Sequence, residues 1–170
     1  MIQSNSYSCG VGVVQAVLSY HGIWGYQDVF AQAMGTTPEQ GTHPARMVAF
    51  MKEKGLDAQL REGLTIDELR RFVDEGVLVI LDIQAYHDDD VDYATDWEDG
   101  HYVILLGYNK DVLFLEDPSL LGTRTYLTNA ELMTRWRDYE TENGARREYR
   151  QSGIVVRARP RVRPTYSHQE

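Results

Sequence analysis

Apolar residues in the first third of the chain recur three and four positions apart. Between Cys9 and Tyr20, Val13, Val14, Val17 and Leu18 fall at helical spacing, and His21-Gly22 closes the segment. The same pattern predicts a short helix over 26–34, stopped by Gly35, and another over 44–54, with Pro44 in its first turn and Gly55 beyond its last. A fourth helix, over 65–75, opens on Thr65-Ile66-Asp67-Glu68, a capping box in which Thr65 and Glu68 satisfy the first free amides. After Gly76 the period changes. VLVILDIQAY, HYVILLGY and VLFLED are short runs of β-branched and large apolar residues and read as strands. The first two are apolar at consecutive positions, as expected of a sheet covered on both faces. Residues 123–127 and 153–158 read as further strands and 129–137 as a helix. Helices followed by a mostly antiparallel sheet predict an α+β domain.

No repeat or low-complexity linker interrupts the 170 residues, so the expectation is one domain over 1–158 followed by a tail over 159–170. The hydrophobic content of 42% supports a core of that size. No run approaches the ~18 apolar residues of a membrane helix, and the polar N-terminus does not resemble a secretory signal. The single cysteine leaves no internal disulfide, which points to a reducing, cytoplasmic setting. The net charge of −9 argues against general nucleic-acid affinity. Acid gathers in residues 87–101, HDDDVDYATDWEDGH, and arginine from Arg146 to Arg163; both runs read as solvated loop and tail.

The lone cysteine, Cys9, falls where the first helix begins. A sulfur there sits against unpaired amides and the positive end of the helix dipole, which favour the thiolate. Gly10 and Gly12 leave little bulk around it, and Gly10 would let a substrate approach. The competing reading is a small buried core residue, the usual fate of a free cysteine. A nucleophile needs a base, and the base an orienting group. Of the five histidines, His21 ends a helix, His43 precedes Pro44, His87 opens the acidic loop and His168 lies in the tail. His101 alone begins an apolar strand, where its ring needs a partner. With Asn109-Lys110-Asp111 as a three-residue hairpin loop, Tyr108 pairs with Val112, and Asp117 lies opposite Val103 on the His101 face. A two-residue loop would put the pair on opposite faces unless a bulge intervened. Within the acidic loop, Asp88, Asp90, Asp92 and Asp99 imitate the spacing of a calcium loop. Tyr93 and Asp99 stand where such a loop requires glycine and a bidentate glutamate, so no metal is expected. A flexible rim that attracts basic substrates and favours protonated His101 fits better.

Gln3 with Cys9-Gly10, Leu18-Ser19-Tyr20-His21-Gly22, GHYVILLGY at 100–108 and Glu116-Asp117-Pro118 together resemble the bacteriocin-processing, or double-glycine, cysteine peptidases, a papain-like family. The resemblance implies a papain-like fold and peptide-bond hydrolysis without a cofactor. It makes Cys9 the nucleophile, His101 its base and then acid, and Asp117 the residue that orients His101. Gln3, with the Cys9 amide, would stabilise the oxyanion. A peptide or protein substrate, a leader-bearing peptide or an exporter are the implied partners. Three features depart from the family: Ser8 stands where many members have aspartate, no transporter segment follows, and the acidic loop is enlarged. The same residues also suit an acyltransferase or amidase, which passes the acyl group to another acceptor, or a peptide-binding module that has kept the fold.

Overall fold

The computed structural model describes residues 7–86, 90–120 and 124–158. Gln3, His87, Asp88 and the tail from 159 lie outside these residues. Helices α1 (Cys9–Tyr20), α2 (Gln27–Met34) and α3 (Pro44–Glu53) come first, then β1 (Leu56–Arg61) and α4 (Ile66–Asp74). Strands β2 (Leu78–Gln84), β3 (Gly100–Tyr108), β4 (Val112–Glu116) and β5 (Thr125–Thr128) follow, then α5 (Asn129–Arg135), β6 (Arg137–Glu142), β7 (Ala145–Arg150) and β8 (Gly153–Ala158).

Six strands form one antiparallel sheet in the order β1-β8-β2-β3-β4-β5. Alternate residues of the central strands feed two cores. Ile80, Ile104, Ile154 and Val156 pack with α1, α2 and α3 on one face. Val79, Leu81, Val103, Leu105 and Val155 pack with α4, α5 and Trp136 on the other. Burial on both faces explains why β2 and β3 are apolar at nearly every position. The predicted capping box is present: the Glu68 amide donates to Thr65 Oγ1 at 3.1 Å and the Thr65 amide to Glu68 Oε2 at 3.0 Å.

Several expectations need correction. The first half is mainly helical as expected, but it also holds a strand the sequence did not mark, β1, which pairs with β8 along the sheet edge. The helix expected over 129–137 stops at Arg135, and Arg137 opens β6. Arg146, Arg147 and Arg150 belong to β7, half of a two-stranded β6–β7 hairpin, and are not loop or tail. That hairpin also contacts the described part of the acidic loop. The Arg137 guanidinium donates to the Asp96 carbonyl at 2.8 Å and also to the Tyr93 carbonyl. The guanidinium groups of Arg137, Arg146 and Arg150 lie 4.8–5.2 Å from the Trp97 ring, a cation–π arrangement.

Candidate active site

Cys9 is the first residue of α1, after Ser8, whose carbonyl accepts the Gly12 amide at 2.9 Å. α1 lies along β3, and Gly10 sets how closely. A Cβ on Gly10 would stand 2.9 Å from Thr42 Cβ and 3.3 Å from the Tyr102 ring. The missing side chain thus serves packing and not substrate entry, correcting the expectation for Gly10. Tyr102 fixes the facing loop by donating from its hydroxyl to the Thr42 carbonyl at 2.9 Å.

His101 and Asp117 meet by a route that differs from the expected one. Tyr108 pairs with Leu113, not Val112, and the Asn109 amide donates to the Val112 carbonyl at 3.0 Å, which leaves Lys110-Asp111 as the turn. That register alone would set His101 and Asp117 on opposite faces. The ladder shifts between Leu105 and Gly107, where Leu106 is the extra residue, and Ile104 then pairs with Glu116. Continuing the ladder one step puts Asp117 opposite Val103, on the His101 face. The bulge supplies the parity the expected loop would have given.

His101 is 6% exposed and Asp117 4%. His101 Nε2 donates to Asp117 Oδ1 at 2.8 Å, and Ser119 Oγ stands 3.5 Å from the same nitrogen. Asp117 Oδ1 also accepts the Ser119 amide at 2.8 Å, and Oδ2 accepts the Tyr86 hydroxyl at 2.7 Å. The Tyr86 ring stacks edge-on against His101, with centroids 5.3 Å apart. Tyr86 holds this position with φ at 69°, the left-handed region that bulky residues avoid. Burial by itself would lower the His101 pKa. Hydrogen bonds to Asp117 and then to Cys9, with the charges of both, outweigh it and raise the imidazole to about 9. Burial raises the Asp117 carboxyl, but the bond and charge of His101, with Tyr86 and Ser119, bring it below its ordinary value. With Nε2 turned to Asp117, Nδ1 is the nitrogen left to face the thiol.

Cys9, His101 and Asp117 are therefore brought together, whereas Gln3 lies outside the described residues. Tyr86 and Ser119 went unrecognised in the sequence. No motif marks Tyr86, while the Asp-Pro-Ser turn at 117–119 was a usable signal for the Ser119 amide. Among the described residues no group of three or more His, Cys, Asp or Glu side chains could hold a metal ion. No described helix is long and apolar enough to cross a membrane.

A cavity of about 430 Å³ adjoins Cys9. Loop 39–44 and Tyr102 form one side, and Trp97, Glu98 and β6 residues Asp138–Thr141 form another. Asp82 of β2 lies at its floor, 4% exposed.

A family model described as Peptidase_C39 like family matches residues 1–143. No curated protein matches the chain. Solved structures share its fold, and two of them are the following. One is a double glycine motif protease from an AMS/PCAT transporter in complex with the leader peptide. It is 14% identical, with a TM-score of 0.63 over 92% of this chain and 88% of that one. The other is the peptidase domain of Streptococcus ComA, a bi-functional ABC transporter involved in a quorum sensing pathway. It is 16% identical, with a TM-score of 0.68 over 94% of this chain and 97% of that one.

Proposed function

Because the chain belongs to the Peptidase_C39 like family, we propose that it is a cysteine peptidase acting through Cys9, His101 and Asp117. The observation that carries this reading is the buried His101–Asp117 pair, linked by a 2.8 Å hydrogen bond, with Cys9 against the imidazole at the start of α1.

In this mechanism Cys9 Sγ attacks the scissile carbonyl as a thiolate opposite the His101 imidazolium. The carbonyl electrons move to oxygen, and the oxyanion is met by the Cys9 amide and by Gln3. His101 then gives its proton to the leaving amine, and the C–N bond breaks to leave a thioester on Cys9. Water, deprotonated by His101, attacks the thioester; the C–S bond then breaks, which releases the acid and returns the Cys9 thiolate opposite the His101 imidazolium. Asp117 acts throughout as a positioning residue: it holds the ring and supports its charge, as the acid member of a triad does. Loss of one oxyanion donor typically costs about 3 kcal/mol in the transition state. Gln3→Ala should accordingly lower kcat more than it raises KM.

The substrate class we assign is a peptide with small residues before the cut, as in a leader peptide. Support comes from family membership and from the fold shared with a leader-peptide protease. A single free thiol suits a reducing compartment, so we place the reaction in the cytoplasm. The test is a peptide-library digest by wild type and Cys9→Ala, read by mass spectrometry. Cuts by wild type alone, after small residues, are expected. Cuts confined to bulky or acidic residues would remove the leader-peptide specificity, and no cuts by either protein would remove the peptidase reading.

A further inference from the structure

Asp82 lies on β2 opposite Tyr102, at the floor of the cavity beside Cys9. It is 4% exposed, and its Oδ1 has no hydrogen-bond partner. Its neighbour is a second carboxyl, the half-buried Asp138 of β6. Asp138 Oδ1 accepts Gln84 Nε2 at 3.1 Å, and Gln84 is spoken for elsewhere, donating to the Arg137 carbonyl at 3.0 Å and accepting the Asp99 amide at 2.7 Å. Glu140, two residues along β6, also lines the cavity, its Oε2 3.3 Å from His43 Nδ1. Among the described residues no lysine or arginine lines this cavity; the β7 arginines turn instead to Trp97, Tyr139 and Tyr149.

Burying two carboxyl groups side by side is unfavourable unless a cation or a shared proton compensates. Burial first, then the charge of Asp138, pushes the Asp82 carboxyl up, and burial raises Asp138 to about 6. Without a cation the pair thus holds a proton to higher pH than a free carboxyl does. A buried carboxyl with one unpartnered oxygen, in the lining of an open cavity that two further carboxyls share, has the chemistry of a cation acceptor.

We propose that this cavity is a substrate subsite for a basic side chain, arginine or lysine, whose head group is received by Asp82, Asp138 and Glu140. The inference rests on the peptidase reading, since it places the basic residue in the peptide whose scissile bond lies at Cys9. It adds a charge requirement to the small residues expected at the cut.

The test is calorimetric binding of two peptides to the full chain carrying Cys9→Ala, so that nothing is turned over. One peptide is acetyl-Ala-Arg-Ala-amide; the other replaces arginine with citrulline, its neutral isostere. Blocked ends leave the guanidinium as the only charge. The arginine peptide is expected to bind at least about tenfold more tightly, a gap of roughly 1.4 kcal/mol. Asp82→Asn and Glu140→Gln should each bring the ratio towards one. Should Asp82→Asn fail to fold, Glu140→Gln, on the cavity wall, decides. Equal binding of the two peptides, no binding of either, or a ratio unchanged in a folded variant overturns the subsite and leaves a proton-sharing structural pair. Failure of the peptidase reading would show separately, as no cleavage of any peptide by wild type.

Discussion

Asp117 accepts hydrogen bonds from three parts of the chain: His101 on β3, Tyr86 beyond β2 and the Ser119 amide in its own turn. Each has a different consequence. Asp117→Asn keeps the shape but removes the charge that holds His101 as a cation, so kcat/KM should fall about a hundredfold or more while the thermal midpoint moves little. Unchanged turnover would reduce Asp117 to a turn residue. The pH profile carries the sign. His101 is raised to about 9, so its imidazolium persists up to that pH, and the alkaline limb of activity should fall there. Asp117→Asn removes the foremost cause of the rise and should move that limb to lower pH. Tyr86→Phe deletes only one donor to the carboxylate and should cost about fivefold in kcat/KM, ~1 kcal/mol. An alkaline limb fixed in both variants would contradict the role given to this network.

At the scale of elements, the fit of α1 against β3 and loop 39–43 decides where the sulfur stands. Gly10→Ala should destabilise by about 1–3 kcal/mol through the close approach to Thr42 and Tyr102, and should lower activity by displacing Cys9. Thr65→Ala, in the α4 capping box beneath the other core, should lower stability by ~1 kcal/mol and leave kcat unchanged. Thermal melts and turnover measured together separate the two cases. Elements whose burial repeats along the chain could be read from the sequence: α1 to α4 and β2, β3, β4 and β8. β1 escaped because LDAQLR alternates over only six residues, and only three of them are apolar, one an alanine. The β6–β7 hairpin escaped because its strands are almost wholly polar, with Tyr149 buried among arginines and glutamates. Its local signal was Asn143-Gly144, whose φ values of 51° and 78° are those a tight hairpin turn demands. His101 and Asp117 were legible because a polar ring starting an apolar strand needs a partner. Asp82 was not, because one aspartate within VLVILDIQ gives no hint that Asp138, over 50 residues away, will lie beside it.

For the whole molecule, two sets of buried groups make stability depend on pH. Asp82 and Asp138 are raised above 3.8, Asp138 to about 6, so they bind protons more tightly when folded. Their contribution is complete below 3.8 and is lost as pH rises through the folded values. His101, raised from 6.5 to about 9, contributes fully below 6.5 and loses its contribution by about 9. Asp117 is lowered and acts oppositely, contributing above 3.8 and losing it as pH falls through its folded value. The thermal midpoint should therefore be highest in acid, near pH 4, and decline towards pH 9, with Asp82→Asn flattening the decline. A midpoint that rises steadily from pH 5 to 9 would contradict the placement of these groups.

Whether Cys9 is a nucleophile held by His101 is tested most directly by its alkylation with iodoacetamide at pH 6, where an ordinary free thiol reacts slowly. Wild type should react rapidly, and His101→Ala, folded by its thermal melt, should react at least about tenfold more slowly and recover only as the pH is raised. Slow alkylation of both proteins at every pH until denaturant is added, with no effect of His101→Ala, would make Cys9 an inert packing residue and contradict the proposed chemistry.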